Sequence, residues 1–134
     1  MRTIIKNSFK KIMQKYYLEI YDEKDDELHV RVTLVNKTSV LLIMYDRRNE
    51  LFTFLIDKRP KTYFNPLSIS SRINVASLLE KRSEKDRLVY FREYKPKYKG
   101  NNHRMVIREY LQSAAKYTDK YAGEFLLGDF SAKR

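Results

Sequence analysis

The sequence predicts an α+β domain. The sheet is mainly antiparallel with about five strands, a four-strand meander plus one. An N-terminal, a middle and a C-terminal helix accompany it. Three observations predict this class. Apolar residues recur at helical spacing near both ends of the chain. Between them, runs of strand character are joined by links too short for crossovers, so a meander is the simplest pairing. Finally, 134 residues that are 43% hydrophobic, with three glycines and three prolines, describe one packed domain over residues 1–134, with residues 131–134 as a fraying tail.

Residues 2–16 read as an amphipathic helix. Ile5, Phe9, Ile12, Met13 and Tyr16 form one stripe, and Lys6, Lys10, Lys11 and Lys15 fall largely off it. This segment is basic but has no continuous apolar stretch, so it reads as a helix of the fold rather than a secretory signal. Residues 17–21 suggest a short strand, and the acidic block 22–27 a polar connection. Leu28, Val30, Val32 and Leu34 alternate with His29, Arg31 and Thr33, the pattern of a half-buried strand. Residues 36–38 form a turn. Residues 39–45 are apolar enough for a central strand covered on both faces. Residues 46–50 form a hairpin loop and residues 51–56 the fourth strand.

Pro60 and Pro66 then interrupt the strand pattern. A helix follows, capped by Asn65 or by Ser70 or Ser71, with an apolar face of Ile69, Ile73, Ala76, Leu78 and Leu79, ending near residues 81–83. Residues 88–94 read as the fifth strand. Asn101 or Asn102 caps the last helix, whose stripe is Ile107, Tyr110, Leu111, Ala114, Tyr117 and Tyr121. Gly123 and Gly128 bracket a short segment that packs on its own core or on a second copy.

Charge is the main pointer to function. The chain carries a net +11, with 28 Lys plus Arg against 17 Asp plus Glu. The first 27 residues sum to zero, and residues 58–104 carry +9. Two loops in that interval mix cations with rings. One holds Lys58, Arg59, Lys61 and Tyr63. The other holds Lys95, Lys97, Tyr98 and Lys99 and runs into His103 and Arg104. Lysines can neutralise phosphates, and the interleaved rings can stack on unpaired bases. The expected function is that of a small accessory or regulatory protein contacting a DNA or RNA backbone through these two loops.

Catalytic signatures are scarce. The absence of cysteine removes thiol nucleophiles, disulfides and thiolate metal sites. Three glycines make no phosphate-cradling loop, and there is no Gly-x-Ser-x-Gly. No cofactor is expected, and an enzyme is the less favoured reading. His103, with Tyr98, Lys99 and Arg104, is the residue set for metal-free phosphodiester chemistry. Asp46 followed by Asp57-Lys58-Arg59 is the nearest approach to an acid and acid-x-lysine pair. On those residues the chain resembles, at the coarse level of element order, the restriction-endonuclease-like core. That resemblance implies a magnesium-dependent nuclease as an alternative. The other alternative is a viral-type interaction module or inhibitor docking on an acidic protein. The longest apolar run, residues 40–45, is too short to span a bilayer, so no membrane partner is expected and an intracellular setting, cytoplasmic or nucleoid-associated, is.

Overall fold

The computed structural model describes residues 1–68, 73–82 and 103–131. The described elements are α1 (Arg2–Ser8), α2 (Lys10–Lys15), β1 (Glu19–Asp25), β2 (His29–Val35), β3 (Ser39–Asp46), β4 (Leu51–Lys58), β5 (Ile73–Asn74), α3 (Val75–Arg82) and α4 (His103–Leu126). The five described strands make one antiparallel sheet in the order β1-β2-β3-β4-β5, which is the α+β class the sequence predicts.

The first helix is nearly the one the spacing predicts. It is interrupted at Phe9, yet Phe9 N–H still donates to Ile5 O and Met13 N–H to Phe9 O, so the two pieces form one rod. Ile5, Phe9, Ile12 and Tyr16 are buried, and the Phe9 ring stacks on Phe54 at 5.8 Å. Both α2 and α4 end in the same hydrogen-bond pattern. Leu18 N–H donates to Met13 O, and Asp129 N–H donates to Glu124 O. Each closes a Schellman turn, which needs a left-handed residue just past the helix. At α4 that residue is Gly128, with φ of 94°. At α2 it is Tyr17, with φ of 57°.

The acidic block is not a connection. Residues 22–25 belong to β1, and the turn is confined to residues 26–28, where Asp26 Oδ1 accepts the Leu28 and His29 amides. Turn propensity loses here because each carboxylate finds a cation. Asp22 pairs with Arg31 at 2.6 Å, Glu23 with Lys6 at 2.8 Å, and Asp25 with Arg47 at 2.6 Å and Arg2 at 3.5 Å. Charges on an edge strand also discourage pairing with other chains. A bulge between Ile20 and Asp22 turns Tyr21 onto the face away from the helices.

Val30, Val32 and Leu34 of β2, Leu41, Ile43 and Tyr45 of β3, and Phe52, Phe54 and Ile56 of β4 form the helix-facing core. On the opposite face Val35, Val40 and Phe64 make a second small cluster with Tyr21 packed against it. β3 is therefore covered on both faces, as its composition predicts.

Three boundaries differ from the sequence reading. The described fifth strand is Ile73–Asn74, paired with Leu55 and Ile56, and the run at residues 88–94 lies outside the described residues. The middle helix starts only at Val75, because Asn74 Oδ1 accepts the Ala76 and Ser77 amides; Asn65 and Pro66 instead open a single 3₁₀ turn, Pro66–Ser68. Ser70, Ser71, Asn101 and Asn102, the other expected caps, also lie outside the described residues. Finally, α4 runs straight through Gly123 to Leu126, and Phe125 and Leu126 pack into the chain's own core. Gly123 is needed because the Tyr16 hydroxyl occupies the space a Cβ would take.

Candidate nucleic-acid interface

Of the two basic loops, the first is described and the second is not. Lys95, Lys97, Tyr98 and Lys99 lie outside the described residues. His103 opens α4, and Arg104 is exposed in the first turn of that helix. Lys58, Arg59, Lys61 and Tyr63 gather where β4 leaves the sheet. The β2–β3 turn, residues 36–38, lies beside them. Arg59 N–H donates to Thr38 O at 2.8 Å, and the Arg59 guanidinium donates to Asn36 O at 2.9 Å.

Rings crown this end of the sheet. Tyr63 is 90% exposed, with its centroid 6.1 Å from Tyr21. Tyr21 stacks on Phe64 at 4.5 Å with 9° between the planes. The Tyr21 hydroxyl donates to Phe64 O and accepts from Phe64 N–H, which locks the loop onto β1. The Arg59 guanidinium lies 6.0 Å from the Tyr21 ring, and Lys58 Nζ lies 5.7 Å from Phe130.

Ion pairing divides the cations into two groups. Arg2, Lys6, Lys24, Arg31 and Arg47 are matched to acids on or beside β1. Lys15 is matched to Asp119 at 3.0 Å, and Arg82 to Glu124. Lys37, Lys58, Arg59 and Lys61 make no ion pair with the described residues, nor do Lys10, Lys11, Lys81, Arg104, Arg108 and Lys116 on the helices, nor Arg48 in the β3–β4 turn. Apart from Arg48 at the far turn, the unpaired cations of the described chain thus lie on the helix layer and at one end of the sheet.

Three adjoining depressions link those regions. One of about 570 Å³ lies between α2 and α4, lined by Lys11, Lys15, Gln112, Lys116 and Asp119. A second, of about 500 Å³, shares Lys15 and Asp119 with it and reaches Arg82 and Leu127. A third, of about 620 Å³, shares Tyr16 and Leu127 with the second and opens between Tyr17, Glu19, Lys37 and Arg59. Tyr17 and Leu127 stand at its rim, 84% and 70% exposed.

Tyr16 and Asp119 join the helices beneath this furrow. The Tyr16 hydroxyl donates to Asp119, and Lys15 Nζ donates to the same carboxylate. Burial, then the bond to Asp119 and its charge, push the Tyr16 phenol far above its ordinary value. Burial pulls Asp119 upward, but the bonds from Tyr16 and Lys15 outweigh it and hold its carboxyl below the ordinary range. Asp25 is lowered chiefly by its bond from Arg47, and Asp26 by the His29 and Leu28 amides. Depressed folded values mean that these groups stabilise fully above about pH 4, and that the contribution is lost as pH falls through the folded values. Thermal melts should therefore show Tm falling as the pH drops below about 4. An Asp119→Asn variant should lose less on acidification than the parent.

The metal-binding pair of the nuclease reading does not come together. Asp46 pairs with Leu51 and Asp57 with Val40, so the two acids sit at opposite ends of β3 and β4, roughly 20 Å apart. Asp46 is used in its turn, accepting from Arg48 and Asn49, and Asp57 accepts from the Lys58 amide. Among the described residues no three His, Asp or Glu side chains cluster as metal ligands, and no helix is long and apolar enough to cross a membrane.

Sequence reasoning missed Tyr17, Lys37, Lys11 and Lys116. Segment charge conceals the lysines, and the left-handed angle of Tyr17 has no sequence signature. Residues 105–134 sum to only +1, yet two of their acids, Asp119 and Glu124, are spent on Lys15 and Arg82. The spacing of Arg104, Arg108, Lys116 and Lys120 in multiples of four was the available signal. No family model, curated protein or solved structure matches this chain.

Proposed function

We propose that this protein is a small nucleic-acid-binding accessory or regulatory protein that holds the phosphate backbone with Lys37, Lys58, Arg59 and Lys61. The observation that carries this reading is their placement. Four cations without ion-pair partners among the described residues share one end of the sheet with an exposed tyrosine, Tyr63, whose ring lies beside Tyr21, itself stacked on Phe64. Cations alone would suit any anionic partner. The exposed Tyr63 ring among them favours nucleobases, which offer a flat face whatever their sequence. Binding of this kind depends on salt and tolerates sequence.

Fluorescence anisotropy with labelled 20-mers of DNA and RNA, measured from 25 to 300 mM salt, tests it. The affinity should fall linearly on a log–log plot with a slope of about −3, one phosphate for each of the four cations. Polyglutamate at equal charge should compete poorly. No binding at the lowest salt, an affinity indifferent to salt, or ready displacement by polyglutamate would each overturn the reading.

A further inference from the structure

Tyr17 occupies a position that its neighbours do not explain. A left-handed residue must close the Schellman turn after α2, and glycine does so without steric cost. The same turn after α4 uses Gly128. A tyrosine there brings Cβ against the backbone, and burial does not repay it, since Tyr17 is 84% exposed. The other described non-glycine residue with positive φ is Glu50, a polar residue in a hairpin turn, where such a conformation is ordinary. Strain held at an exposed aromatic ring points toward function.

The ring's surroundings say which function. Tyr17 stands over the third depression, beside Lys37 and Arg59, and the furrow continues past Lys15 to Lys11 and Lys116. The furrow follows α4 from Gln112 to Leu127, about 22 Å. That length suits a short single-strand site of about four nucleotides. A furrow that runs between α2 and α4 lets one strand lie along it, whereas a duplex read through its groove calls for a projecting element. The acids in the trench do not oppose a phosphate chain strongly. Asp119 is held by Lys15 and Tyr16, and Glu124 by Arg82, which leaves Glu19.

We infer that the furrow from Lys11 and Lys116 to Lys37 and Arg59 is a track for a single-stranded polynucleotide, and that Tyr17 is the ring on which a base stacks at its sheet end. This rests on the nucleic-acid reading above and adds the strand state, the path and the stacking residue.

The test compares the parent with Tyr17→Asn and Tyr17→Phe, using oligo-dT and oligo-rU single strands and a duplex of equal length. Asparagine tolerates the left-handed region, so Tyr17→Asn should melt at or above the parent's temperature while binding single strands about tenfold more weakly. Tyr17→Phe keeps the ring and should bind within about twofold of the parent. The parent should prefer single strand to duplex. If Tyr17→Asn binds as the parent does, if it lowers Tm, or if duplex binds as tightly as single strand, the inference falls. Those outcomes leave the nucleic-acid reading standing, because the parent still binds. A parent that binds no oligonucleotide at low salt overturns both.

Discussion

Asn36→Ala should lower folding stability by about 2–4 kcal/mol, more than any other single change in the β2–β3 turn. One side chain ties three elements together there. Its amide donates to Tyr16 O at 2.9 Å, the carbonyl of the residue that caps α2, and to Leu126 O at 2.8 Å, the last carbonyl of α4. Its oxygen accepts the Thr38 amide at 3.0 Å and the Ser39 amide at 2.8 Å, which shapes the turn itself. Ser39 extends the same clasp by donating to Phe125 O. Alanine forfeits these four Asn36 bonds and a fifth from the Thr38 hydroxyl, and it leaves two helix-terminal carbonyls in a partly buried place, where an unmet acceptor costs more than a met one returns. Asn36→Asp should be at least as damaging. It can keep the two amide bonds, but it turns a carboxylate toward two helix C-termini whose partial charge is already negative. Urea denaturation with an unchanged m-value checks both variants. A loss below about 1 kcal/mol for alanine would show that the clasp is dispensable.

The elements that were legible in the sequence are those whose burial pattern is local. Val30, Val32 and Leu34 alternate because β2 has a helix-facing side. Ile5, Phe9 and Ile12 recur because one rod lies on the sheet. The acidic block misled for a physical reason. Asp22, Glu23 and Asp25 have turn-like character, and only Arg31, Lys6 and Arg47, brought up from three other elements, make a strand of them. Asn74 was hidden in the same way, since Ile73 fits a helical stripe as well as it fits the short strand that claims it. Half of the candidate site was readable, because residues 58–63 are a contiguous run of cations and rings. The other half was not. Tyr17, Lys37 and Lys116 come from three separate segments, and what singles them out is a backbone angle, a neighbouring turn and the removal of Asp119 by Lys15.

Charge reversal at the sheet end should separate a located site from a general attraction to a basic protein. Lys37→Glu with Lys61→Glu removes four units of charge, taking the net from +11 to +7. Both side chains are exposed, and neither anchors the fold as Arg59 does through Asn36. Affinity for a single strand at about 100 mM salt should fall roughly 30- to 100-fold, and the salt slope should shrink by about 1.4 as two phosphate contacts are lost. The control is Lys24→Glu with Arg48→Glu, which gives the same +7 at the opposite end of the sheet. Eight residues of β3 separate the two ends, about 25 Å, well beyond the ~10 Å over which charges are felt at that salt. The control should therefore cost less than about threefold and leave the slope in place. Equal losses in the two variants would mean that net charge does the binding, and neither the sheet end nor the furrow would then be a site. Unequal losses in the predicted order would locate the contact, because long-range steering depends on total charge while ion release depends on where the phosphates sit.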